Sequence, residues 1–223
     1  VGAAIAALAQ PTDVAGADPM PQGGSGVLAF DSDGDVYTVR AEQDDAAGNL
    51  GLSTPHTFTV GTSYRDDVLS DNPAGYWRLG ESSGTVAASE LGATTNGAYA
   101  NGVLLGQTGG LTGDSNRAAR FDGVDDIVSV PHSSALNATN GVTIEAWVKR
   151  TKTGAWQNIL AKPGNGGNAA QNYALWLNTT NQPVALFGNG TTSVAAYAPA
   201  IDTNWHHIVA TYNNATAQVY VDG

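Results

Sequence analysis

Apolar and polar residues alternate along much of this chain, in runs too short for helices. The clearest run is Val142-Thr143-Ile144-Glu145-Ala146-Trp147-Val148-Lys149. Successive side chains of a strand point to opposite faces. That places Val142, Ile144, Ala146 and Val148 toward a core, and Glu145, Trp147 and Lys149 outward. The same period predicts strands at Gln157–Lys162, Tyr173–Asn178, Val184–Gly188, Ser193–Tyr197, Trp205–Tyr212 and Gln218–Val221. In the Tyr173 strand, Tyr173, Leu175 and Leu177 share one face, and Asn172, Ala174, Trp176 and Asn178 the other. Upstream, strands are expected at Tyr76–Leu79, Asn96–Tyr99, Ala118–Phe121 and Ile127–Pro131. Earlier still, Tyr37–Gln43 alternates, and Ser53–Val60 puts Phe58 and Val60 together. Tyr64–Leu69 is expected to make a single helical turn. No stretch holds a helical period for long, and no run of about 18 apolar residues marks a membrane span. Many short strands with turns between them predict an all-β protein, a sandwich or a jelly roll.

Composition agrees and narrows the function. Only 13% of residues are charged while 28 are Gly, a mix suited to short strands and tight turns. The formal net charge of −11 argues against a nucleic-acid partner, because phosphate binding needs a basic face. Residues 1–60 carry eight acids and one base, so the excess is concentrated there. The absence of Cys rules out disulfides, thiolate metal sites and thiol catalysis. Val1-Gly2-Ala3-Ala4-Ile5 has neither the basic start nor the long apolar centre of a signal peptide. Residues 1–26, rich in Ala, Gly and Pro, are expected to form weak strand and loop. The pattern changes near Gly61, which gives three parts: 1–60, a linker at 61–75, and 76–223.

Two resemblances fit these parts. Tyr37-Thr38-Val39-Arg40-Ala41, Asp45-Ala46-Ala47-Gly48-Asn49 and Thr57-Phe58-Thr59-Val60 resemble the last strands of a bacterial immunoglobulin-like repeat. The likeness covers residues 31–60 and implies a partial immunoglobulin-like β-sandwich, with Tyr37 as its tyrosine corner. The larger part, 76–223, resembles the laminin G-like family with the concanavalin A-like jelly roll. The residues that carry this are Tyr76-Trp77-Arg78-Leu79, Ala119-Arg120-Phe121-Asp122-Gly123, Val128-Ser129-Val130-Pro131, Thr143-Ile144-Glu145-Ala146-Trp147-Val148, Trp205-His206-His207 and Tyr220-Val221-Asp222-Gly223. Asp-Gly is a hairpin signal because both central positions of that turn take positive φ. Family members continue past it with further strands, so the resemblance implies that the chain is a piece of a longer protein.

Candidate chemistry is sparse. Glycoside hydrolysis needs two carboxylates about 5 Å apart in retaining enzymes. The Val142–Lys149 strand offers Glu145 alone, so a non-catalytic chain with a structural Glu145 is expected. His206 and His207 are strand neighbours that face opposite ways, so they cannot hold one ion and are expected to pack and hydrogen-bond. Asp122, Asp125 and Asp126 cluster in one turn and would suit Ca²⁺, a hard cation that takes oxygen ligands. The other reading is a solvated acidic turn. The resemblance implies Ca²⁺ at a sandwich edge, but Ser89 stands where the family loop Ser89–Gly97 usually carries Asp. Asp31-Ser32-Asp33-Gly34-Asp35 looks like the start of an EF-hand, yet the distal Glu42 falls in a predicted strand. An inter-domain Ca²⁺ site or an acidic turn is expected there instead. The four Asn-x-Ser/Thr sequons, at Asn137, Asn178, Asn189 and Asn214, are put down to an Asn- and Thr-rich composition. Trp147 and Trp176, with Glu145, are the candidate ligand-binding residues, since outward indoles can stack on sugar rings. The alternative is that both rings pack beneath loops.

The expected function is a non-catalytic binding or adhesion module of a secreted or cell-surface bacterial protein. Its partner would be a carbohydrate or glycoprotein, with neighbouring domains of the same polypeptide beside it. The alternatives are an accessory domain of an extracellular glycoside hydrolase or sialidase, or a structural spacer.

Overall fold

The computed structural model describes residues 36–39, 42–44, 50–52, 54, 56–59, 63–138, 141–163, 172–188 and 191–223. The Ala-rich start, the Asp31–Asp35 turn, most of the Asp44–Asn49 turn and Asn189 lie outside these residues. The chain divides into two compact units, Val1–Pro73 and Ala74–Gly223.

In the first unit β1 (Val36–Val39) pairs antiparallel with β4 (His56–Thr59), and β2 (Glu42–Asp44) with β3 (Leu50–Leu52). Helix α1 (Tyr64–Ser70) follows. Ser63 caps it, its Oγ accepting from the Asp66 N–H at 3.3 Å, a side-chain partner for one of the donors every helix start leaves unpaired.

Among its described residues the second unit holds twelve strands, all paired antiparallel. β10 (Val142–Lys149), β15 (Trp205–Tyr212) and β16 (Ala217–Val221) form one sheet in the order β10-β15-β16. β11 (Gln157–Lys162), β12 (Tyr173–Leu177), β13 (Pro183–Gly188) and β14 (Ser193–Tyr197) form a second, in sequence order. Smaller sheets join β5 (Val86–Ala87), β6 (Gly97–Ala100) and β9 (Ile127–Ser129), and pair β7 (Leu104–Thr108) with β8 (Arg117–Arg120).

The two large sheets face each other across one core. Ile144 of β10 and Ile208 and Ala210 of β15 meet Tyr173, Leu175 and Leu177 of β12 and Ala185 and Phe187 of β13. Phe187 and Tyr212 stack between the sheets, centroids 5.1 Å apart and planes 11° apart. The half-buried Val142, Ala146 and Val148 pack on the same cluster, so β10 turns inward the face its alternation predicted. Asn172 closes one end, accepting from the Ala138 N–H at 2.7 Å and donating to its carbonyl at 3.0 Å. The Tyr173 hydroxyl donates to the Leu136 carbonyl at 3.0 Å beside it.

Three elements of the second unit differ from expectation. Tyr76–Leu79 makes no strand, only an isolated bridge between Trp77 and Ser89. Leu79 has φ 53°, a left-handed conformation that breaks an extended run. β5 and β7 were not expected. β7 carries Gly106 at φ 71°, where its pairing with β8 shifts register, so its sequence reads as a turn. Asp222 and Gly223 both have positive φ, 57° and 105°, as the Asp-Gly signal requires. No described helix is long and apolar enough to cross a membrane.

Candidate functional site: an aromatic row on one sheet face

Strand register decides which side chains share a surface. Asn158 of β11 lies opposite Trp176 of β12, Trp176 opposite Val184 of β13, and Val184 opposite Tyr197 of β14. Directly opposed residues in antiparallel strands share a face. These four therefore form one row across the sheet, on the side away from the core. Trp176 is half-buried, Val184 is covered at 2% exposure, and Tyr197 is 61% exposed. Trp156, just before β11, is 59% exposed and stands edge-on to Trp176, centroids 5.9 Å apart at 90°. With strands about 4.8 Å apart, Trp176 and Tyr197 stand roughly two spacings from each other. A bulge between Asn158 and Leu160 shifts the register of β11, and both Ile159 and Leu160 pack on the core. The row thus offers three aromatic rings, two of them exposed and Trp176 half-buried, with Val184 covered between Trp176 and Tyr197.

Trp147 is not part of it. It lies on the outer face of β10, opposite His207 of β15. Since Ile144 and Leu175 both point into the shared core, Trp147 and Trp176 point out of opposite sides of the sandwich. The expected grouping of Trp147, Trp176 and Glu145 is therefore two separate surfaces. Trp147 stacks on His207, with centroids 5.1 Å apart and planes at 16°. Glu145 Oε2 lies 3.5 Å from His207 Nε2.

His206 takes the opposite side of β15, as expected of strand neighbours. Its Nε2 lies 3.0 Å from Asp202 Oδ1 and its Nδ1 2.8 Å from Asp222 Oδ2. Asp222 also accepts from the His207 N–H at 2.9 Å. Desolvation pulls the His206 pKa down, but the hydrogen bonds and charges of Asp202 and Asp222 outweigh it and hold the group above its ordinary value. Both carboxyls are held below theirs, Asp202 chiefly by the Asn204 N–H and Asp222 chiefly by His206.

Asp122, Asp125 and Asp126 come together, each offering an oxygen within 4.8 Å of the others. Such an exposed cluster could hold a metal ion. Much of it is already engaged. Asp122 Oδ1 accepts from the Val124 N–H at 2.7 Å, and Asp126 Oδ2 from the Asp122 N–H at 2.8 Å. The Lys152 ammonium donates to the Asp122 carbonyl. The Val124 N–H is the main cause that keeps the Asp122 carboxyl below the usual carboxylate range, against some desolvation. Ser89, in the place of the family's Asp, accepts from the Leu91 N–H at 3.2 Å and the Thr95 hydroxyl at 2.8 Å.

Trp156 and Tyr197 escaped the sequence reading. Trp156 sits in a polar stretch before β11, and β14 alternates only small residues before Tyr197, so neither shows a facing pattern alone. No curated protein and no solved structure matches the chain. The fold is an all-β, concanavalin A-like antiparallel β-sandwich, and residues 122–223 match a laminin G family model described as the concanavalin A-like lectin/glucanases superfamily.

Proposed function

We propose that this chain is a non-catalytic carbohydrate-recognition module whose platform is the Trp156–Trp176–Tyr197 row. The row is the observation that carries the reading. Flat aromatic faces bury the apolar faces of sugar rings, and Asn158 in the same row supplies hydrogen-bonding capacity at its edge. The match of residues 122–223 to a lectin and glucanase superfamily supports a sugar as ligand. The engagement of Glu145 with His207 supports a structural acid rather than a catalytic one. In this reading the module serves an extracellular or surface-attached bacterial protein in adhesion, and residues 31–60 are the end of an immunoglobulin-like repeat that presents it.

Affinity electrophoresis in gels containing neutral polysaccharides tests the platform. Trp176→Ala and Tyr197→Ala are expected to weaken retardation by roughly tenfold, since each removes about 1.4 kcal/mol of stacking and burial. Trp147→Ala is expected to leave it unchanged. Equal retardation of Trp176→Ala and wild type would overturn the assignment.

The reading extends to Ca²⁺ at Asp122, Asp125 and Asp126. Oxygens within 4.8 Å of one another fit part of a shell with ligand distances of about 2.3–2.6 Å. Three carboxylates make up less than the six to eight oxygens Ca²⁺ takes, so water or further groups complete the shell. Calorimetric titration of chelator-cleared protein should show heat that Asp126→Asn abolishes. A flat titration removes Ca²⁺ from the reading and leaves the sugar platform standing.

A further inference from the structure

β14 ends its sheet: it pairs with β13, and among the described residues no strand lies on its other side. The register says which backbone groups face outward. The Ala198 N–H donates to the Pro183 carbonyl at 3.0 Å, which marks a hydrogen-bonded pair. Bonded and non-bonded pairs alternate along an antiparallel ladder. Ala196 and Val194 therefore bond toward Ala185 and Phe187, while Ser193, Ala195 and Tyr197 turn their N–H and C=O groups away from the sheet. All three residues are exposed, and Val194, on the core side, is left 37% exposed at the rim.

An open edge recruits strands, and natural edges are guarded by charge, proline or a bulge. β10 carries Glu145 and Lys149, and β11 carries Lys162 and its bulge. β14 has none of these. Residues 163–201 contain no Asp, Glu, Lys or Arg at all, in a chain of net charge −11. Two copies of so acidic a chain repel each other, and an uncharged edge lets their backbones meet without opposing like charges.

The strand also fits itself. Paired antiparallel about a two-fold axis through Ala195, Ala195 meets its own copy and Ser193 meets Tyr197 on the outer face. On the core side Val194 meets Ala196. Each large side chain faces a small one, and the outward N–H and C=O groups of Ser193, Ala195 and Tyr197 all find partners. Pro199, which lacks an N–H, bounds the ladder beyond Tyr197.

We propose that β14 is a self-association edge: a second copy of this chain pairs with it antiparallel, Ala195 against Ala195, and joins two four-stranded sheets into one. Residues opposed across strands share a face, so the aromatic rows of both copies look out of the same side. One polysaccharide can then bridge them, with the avidity of two linked sites. That consequence rests on the sugar reading; the pairing does not.

Sedimentation equilibrium of the 223-residue chain tests the pairing, over a concentration series reaching about 1 mM, where even weak association is populated. The weight-average mass should climb from 22.7 kDa toward twice that value. Residue 195 lies on the axis, so a charge placed there faces its own copy. Ala195→Asp and Ala195→Lys should each stay at the monomer mass, because like charges directly opposite destabilise a strand pair. An equimolar mixture of the two should regain the dimer, since opposite charges now face each other. That recovery also shows both variants to be folded. A wild type that stays monomeric, single variants that dimerise as the wild type does, or a mixture that regains no dimer each overturns the proposal.

Discussion

At His206 two carboxylates approach one imidazole, from Asp202 at 3.0 Å and Asp222 at 2.8 Å, and the arrangement is strongest when all three groups are charged. A histidine whose folded pKa is raised above 6.5 stabilises fully below that value and loses the contribution as pH climbs through the folded pKa. Carboxylates with lowered pKa values contribute above 3.8 and lose their share as pH falls through the folded values. The cluster therefore contributes most in the mildly acidic window between these values. The expected result is a Tm that declines from about pH 6 toward pH 8 in the wild type, and a flatter profile in His206→Gln. Parallel profiles would show that the cluster adds nothing measurable. Gly141 makes a different kind of single-residue demand. It holds φ 148°, and a Cβ there would lie 2.8 Å from the Tyr212 carbonyl, where β15 ends against β10. Backbone cannot swing aside as a side chain can, so Gly141→Ala should lose about 1–3 kcal/mol in urea unfolding.

Among elements, β15 holds the sandwich. It pairs with β10 on one side and β16 on the other, and Ile208 and Ala210 are wholly buried against the opposite sheet. Ile208→Ala should cost about 2–5 kcal/mol, seen as a lower urea midpoint with an unchanged m-value. β10 was legible in the sequence from its alternation, and β11, β14 and β15 as short apolar or β-branched runs bounded by turn residues. The failures have equally local causes. Tyr76–Leu79 has strand-forming residues, but Leu79 adopts a left-handed conformation that ends an extended run. β7 hides behind Gly106. The inward and outward faces of β10 and β12 were readable as well. Which outward residues become neighbours was not. Trp176 meets Tyr197 only through strand order and register across β13, information that no period-2 pattern within one strand contains.

For the molecule as a whole, a net charge of −11 means that like charges repel in the folded state more than in the expanded one. Raising salt from about 0.01 M to 0.15 M shortens the screening length from about 30 Å to 8 Å, so Tm should rise over that range. A falling Tm would show that attractive pairs dominate instead. The sandwich also sets Trp147 and Trp176 back to back, with a core of about 10 Å between the sheets. Residues so separated and sharing no partner are energetically uncoupled, within about 0.3–0.5 kcal/mol. A double-mutant cycle on Trp147→Ala and Trp176→Ala should close within that limit. The domain can then be varied on one side without retuning the other: a substitution on the Trp147–His207 face leaves the energetics of the Trp176 face as they were, and the reverse.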